Sequence, residues 1–258
     1  MNKFFIALLG LIVGASQVIG ADDFNGTLQW SARIQLVNPQ MDMVQAALKN
    51  PELLSLLLQN PQVRAMLESK LGPIDVATGA TSLLPTGFTV VIRGARASLK
   101  TEGGMVSREL LSIGEKRVTY AINRPARTYQ KLPDAMNSRA DFGVKIKVTR
   151  MSETATILGY LCRRFLVQAE EGGAKSRFTV WATTEISGLD GAALKRLNWA
   201  HLGGPDFMGK IDGVPLKVDG GTPDAKVSVV ATRIKIGPVD AALLSMPAGF
   251  KEVTGAAY

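Results

Sequence analysis

Residues Glu153 to Ile186 read ETATILGYLCRRFLVQAEEGGAKSRFTVWATTEI, and the rest of the fold is read outward from them. Gly172-Gly173 offers a two-residue turn in which positive φ is available at both positions. Folding the segment there sets Ala169 opposite Ser176, Val167 opposite Phe178 and Phe165 opposite Val180. The alternate face then pairs Leu166 with Thr179, Arg164 with Trp181 and Cys162 with Thr183. One face is apolar and the other mixed, the pattern of a sheet with one buried side. The Arg164–Trp181 pair predicts a cation–π contact worth about 0.5–1 kcal/mol.

Strands extend to both sides of this hairpin. FNGTLQWSARIQLV (Phe24–Val37) places Phe24, Leu28, Trp30, Ile34 and Leu36 on one face and Thr27, Gln29, Arg33 and Gln35 on the other. Further strands are expected near 88–101, 105–113, 117–122 and 127–132, with breaks of hairpin length that imply a meander. Phe142–Arg150 alternates again, and strands at 216–218 and 226–236 follow. The count is ten or eleven strands, antiparallel throughout.

Asn38–Gly72 breaks the β pattern. Asn50-Pro51-Glu52 and Asn60-Pro61-Gln62 each set an N-cap acceptor before a proline at the first helical position. Three short helices are expected, at 41–49, 51–59 and 61–71, as an insertion spanning about 39–72. Their leucines exceed one narrow stripe, so the unit must pack on the sheet, a partner or a ligand. A helix is also expected at 189–202, and a closing helical turn at 239–245.

Residues 1–20 read as a secretory signal, with Lys3, an apolar run FFIALLGLIVG, and Val18 and Gly20 before a cut at Ala21. The apolar run is too short for the ~20 residues of a membrane span, and no cysteine follows it to take a lipid. A periplasmic or secreted protein is the expectation, with residues 21–258 as one domain. The net charge is +8. Between Arg93 and Arg164, 15 Lys or Arg face 6 Asp or Glu, so this stretch holds the excess. A solvated outer face explains that; so does a surface that meets an acidic envelope partner or an anionic membrane. Nucleic acid is not an expected partner for a protein outside the cytoplasm.

Several chemistries lack their residues. His201 is the single histidine, so a Ser-His-Asp triad, a Cys-His dyad or a zinc site would all depend on it. No P-loop, G-x-S-x-G or G-x-G-x-x-G motif is present. Cys162 is the single cysteine, which rules out an internal disulfide and suits a strand residue acting as a small hydrophobe. No catalysis, metal or cofactor is expected.

Gly159-Tyr160-x-Cys162 at a strand, followed by a strand carrying Trp181, together with YAINRPARTYQKLP (Tyr120–Pro133) and VDAALLSMPAGF (Val239–Phe250), resembles a bacterial family of exported proteins known as a domain of unknown function. That family is similar to the periplasmic lipoprotein carriers and their outer-membrane receptor (LolA/LolB-like). The resemblance covers Phe24–Val37 and Thr86–Val253. It implies a mainly β fold with helical insertions: a strongly curved antiparallel sheet, or half-barrel, with helices covering the concave side. The function expected is non-catalytic binding of an apolar ligand, such as an acyl chain of a lipid or lipoprotein. Trp30, Ile34, Phe165, Val167, Phe178 and Val180 would line the sheet side, and Leu53, Leu57 and Met66 the lid. The alternative is an envelope interaction module with a filled core, docking through the helical insertion or the basic face.

Overall fold

The computed structural model describes residues 24–36, 50–65, 84–104, 109–116, 118–132, 145–171, 174–189, 210–222 and 225–254. The strands are β1 (Asn25–Leu36), β2 (Gly87–Arg93), β3 (Arg96–Glu102), β4 (Glu109–Ile113), β5 (Val118–Asn123) and β6 (Thr128–Leu132). They continue with β7 (Lys145–Ile157), β8 (Tyr160–Glu171), β9 (Ala174–Thr183), β10 (Val214–Thr222), β11 (Ala225–Ile236) and β12 (Lys251–Glu252). All belong to one open 12-stranded sheet in the order β12-β6-β5-β4-β3-β2-β1-β11-β10-β9-β8-β7. The sheet is therefore two antiparallel meanders, β1–β6 and β7–β11, joined along a seam where β1 pairs with β11.

The β8–β9 register agrees with the sequence reading at every pair on both faces from Arg164–Trp181 to Ala169–Ser176. Alternation carries this precision, since a slip of one residue would send the buried set into water. The Arg164 guanidinium, however, goes to Glu153, whose Oε1 accepts from Nη1 at 2.7 Å. Among the described residues the aromatic contacts are Trp30–Phe88 and Tyr120–Tyr129, and the expected Arg164–Trp181 cation–π contact is not one of them.

Three other expectations change. The run 88–101 is not one strand but the β2–β3 hairpin, turning at Gly94, whose φ of 52° lies in the left-handed region. The β7 strand runs past Arg150 to Ile157 and turns at Leu158-Gly159 into β8. The sheet is mixed, because β12 lies parallel to β6, with Lys251 beside Thr128 and Glu252 beside Tyr129. A parallel partner requires a crossover rather than a hairpin. The 3-10 helix Ala241–Leu244, capped by the Asp240 carboxylate on the Ala242 N–H at 2.9 Å, lies on that route.

Both Asn-Pro caps form. Asn50 Oδ1 accepts from the N–H groups of Glu52 and Leu53 and starts α1 (Pro51–Gln59) at its expected boundaries. Asn60 Oδ1 accepts from Gln62 and Val63 and starts a second helical stretch at 61–65. The signal segment, the helix expected at 41–49 and residues 190–202 of the one expected at 189–202, with His201, lie outside the described residues.

Register shifts in β11 at Thr232, opposite Gln29 and Trp30, in β7 between Arg150 and Thr154, and in β10 between Pro215 and Lys217 each bend and twist their strand. The consequences are clearest at Trp30. Its ring stacks on Phe88 of β2 at a centroid distance of 4.9 Å, and its indole N–H donates to the Pro215 carbonyl of β10 at 3.2 Å. To reach β10 it must pass over β11, where its register partner is the small Ala231. One buried cluster then runs along a single face from Leu132 in β6 to Val167 in β8, with Ile146 and Val148 of β7 packed against it.

Candidate functional site

The sheet-side residues read from the sequence do meet on one face. Register places Phe165, Val180, Val218, Val229 and Ala32 in one row across five strands. The next row runs Val148, Val167, Phe178, Gly220, Val227 and Ile34. Gly220 interrupts that row for a steric reason: a Cβ there would lie 2.3 Å from the Arg177 carbonyl oxygen and 2.5 Å from the Phe178 ring. The missing side chain is the space in which Phe178 sits.

Together with Trp30 these rows form a continuous apolar band, and it is closed. Trp30, Phe165, Val167, Phe178 and Val180 are 3% exposed or less, and Ile34 is half-buried. The proposed lid side is less complete. Leu53 and Leu57 are half-buried on α1, Leu58 is the buried position, and Met66 lies outside the described residues. Among the described residues the helix that packs on the sheet is the 3-10 helix Ala241–Leu244, against β2 and β3; α1 makes no comparable packing. Leu244 is buried but stands outside the main cluster, as do the buried Val91 and Leu111. Strand parity puts Val91 on the face opposite Val90 and Ile92, so this helix seals the back of the first meander.

A second feature was not foreseen. At the end of the sheet where β7 turns into β8, a cleft of about 120 Å³ is lined by Arg150, Arg163, Glu185 and Asp212, with Cys162 and Phe165 at its floor. It is smaller than the ~300 Å³ at which pockets begin to enclose drug-sized ligands, and too polar to house a chain of methylenes. Its carboxylate Glu185 is engaged: Oε2 accepts from the Leu161 N–H at 2.7 Å and so fixes the β8 entry. Sequence periodicity does not announce such a site, because its residues come from the ends of β7, β8 and β9 and the approach to β10.

Cys162 is fully buried, with Sγ 3.6 Å from the Tyr160 carbonyl. Burial pushes its thiol up to about 11, and the Glu185 carboxylate adds to the rise. A thiol so protonated at neutral pH is a packing group, not a nucleophile.

No family model matches the chain, and no curated protein matches it. Among solved structures, PNGF-II aligns over 88% of this chain and 30% of its own, at 13% identity and a TM-score of 0.37. The chain thus spans less than a third of PNGF-II. LprF from Mycobacterium bovis aligns over 89% of this chain and 91% of its own, at 10% identity and a TM-score of 0.32. Likenesses at this level assign neither a family nor a function.

Proposed function

We propose that the protein is a non-catalytic binding protein of the cell envelope. In this reading it holds an apolar ligand, such as an acyl chain, against the inner face of the sheet beneath the helical insertion. The observation that carries this is the apolar band itself. Two adjacent rows of side chains cross strands of both meanders with no ionisable group in them. Since Val167 and Val180 have no exposed surface, a ligand must displace what now covers the band; in this reading the insertion acts as the lid.

The direct test is the extract of the purified protein. Acyl lipid recovered by mass spectrometry in stoichiometric amount supports the reading, and an empty extract opposes it. Replacing Asn38–Gly72 by a short Gly-Ser linker sharpens the result. A folded variant that binds a hydrophobic dye more strongly and loses its lipid identifies the insertion as the lid. A variant that folds with no new dye binding favours the second reading, an interaction module with a filled core. Near-zero exposure of the band is the observation that keeps that alternative in play.

A further inference from the structure

We infer that one end of the sheet, formed by the overhanging β7–β8 hairpin and the end of β11, is a docking surface for anionic phospholipid bilayers. The inference does not rest on the apolar-band reading, since it concerns a rim that stays exposed whether the interior is filled or open.

Antiparallel register fixes which residues share this rim. Ile157 pairs with Tyr160 at the tip of the hairpin, and the last β8–β9 pair is Arg163–Ala182, so the tip overhangs the end of β9. At the same end of the sheet, Ile236 closes β11 opposite Gly26, and Arg93 closes β2 opposite Asn25. Three of the large exposed hydrophobic side chains fall here: Leu158 at 46%, Leu161 at 53% and Ile236 at 57%.

The tip is also built against local preference. Leu158 has φ 51° and Gly159 φ 84°, the left-handed pair that a two-residue hairpin turn requires. Asn or Gly ordinarily takes the first of these positions, and a branched apolar side chain there is strained. A leucine that is both strained and largely in water is explained by neither packing nor turn geometry. A surface that receives it explains both. The tip is tied to its neighbours by the Glu185–Leu161 hydrogen bond and by the Arg164–Glu153 ion pair across the hairpin.

Charge selects the partner. Arg93, Arg163 and Lys235 lie along the rim and are exposed, and none has an ion pair among the described residues. Among the described residues, acids of the same end are committed elsewhere: Glu115 to Arg96, Glu185 to the Leu161 N–H, and Asp240 to its helix cap. Asp212 lines the cleft. Apolar tips beside cations that form no ion pair among the described residues match a bilayer interface, where leucines reach the acyl boundary and the cations meet headgroup phosphates. A protein groove would more often answer such cations with carboxylates.

Co-sedimentation of the purified protein with vesicles tests this. The wild type should bind phosphatidylcholine vesicles containing phosphatidylglycerol, and bind pure phosphatidylcholine vesicles much less. The pair Leu158→Gly and Leu161→Ser should weaken binding about tenfold or more. Leu158→Gly alone should leave the melting temperature unchanged or higher, because glycine suits φ 51°, so weaker binding would not reflect a damaged fold. Arg163→Gln with Lys235→Gln should weaken binding at low salt and remove most of its salt dependence. Leu56→Ser, at an exposed position on α1, should have no effect. The inference is overturned if the wild type ignores anionic vesicles, or if the leucine variants bind as the wild type does and only net charge matters.

Discussion

The two meanders solve the same problem differently. In the second, burial alternates: along β8 Phe165, Val167 and Ala169 are buried while Gln168 and Glu170 are exposed. In the first, β1 and β3 alternate as well, but burial is nearly continuous in β2, β4 and β5, with Phe88, Val90, Val91 and Ile92 of β2 and Leu110, Leu111 and Ser112 of β4 all withdrawn from water. Alternation means one wet face, and continuity means two covered ones. The difference follows from the chain's last segment, which returns over the back of β2 and β3 with Leu244 and then adds β12 beyond β6. The seven-residue strands β2 and β3 are reinforced from behind, whereas the strands of nine to thirteen residues have no such backing among the described residues. The lesson is that sheet length and backing substitute for each other.

The comparison can be broken at its most crowded point. Gly220→Ala should cost about 2–4 kcal/mol in denaturant unfolding, since the new Cβ meets the backbone oxygen of Arg177, which no rotamer change can relieve. A neutral result would mean that the long-strand meander packs less tightly than its register implies. Next in size, Leu244→Ala should cost about 2–3 kcal/mol and expose the back of the first meander to a hydrophobic dye. If it costs nothing, the backing is not what stabilises the short strands.

Two smaller effects sharpen the picture of the second meander. Cys162→Ala should lower stability by about 1 kcal/mol, and the native thiol should react slowly with labelling reagents at neutral pH. Its raised pKa also sets a pH dependence. Below the unfolded value of about 8.5 the thiol is protonated in both states and its contribution is intact. Above that, the unfolded state ionises first, so stability should fall as pH rises toward the folded value of about 11. Cys162→Ala should flatten that part of the profile. Smallest, Leu158→Gly should raise stability by up to about 1 kcal/mol through relief of left-handed strain.

What was legible in the sequence follows the same division. The β8–β9 pairing could be read to the residue because a one-sided strand writes its register in alternation. The Asn-Pro caps could be read because a short polar side chain followed by proline suits few other positions. The β2–β3 hairpin was missed because a strand covered on both faces has no alternation to break at Gly94. The turn at Leu158-Gly159 was missed because leucine is not a turn residue; glycine after an apolar run was the available signal. The apolar band was visible as strand faces, whereas the charged cleft and the rim were not, since they gather residues from strand ends far apart in the chain.

The seam between β1 and β11 sets an order of events during folding. Each meander closes through neighbouring strands and can form as soon as its own residues are available. The seam cannot, because Gly26 must wait for Ile236, far along the sequence. Until β11 arrives, both β1 and β10 present an unpaired edge, and Trp30 has no Pro215 carbonyl to receive its N–H. Until then the two meanders are separable halves. Its slowest step should be the closing of the β1–β11 seam, and a chain truncated before β11 should expose sheet edges that invite aggregation.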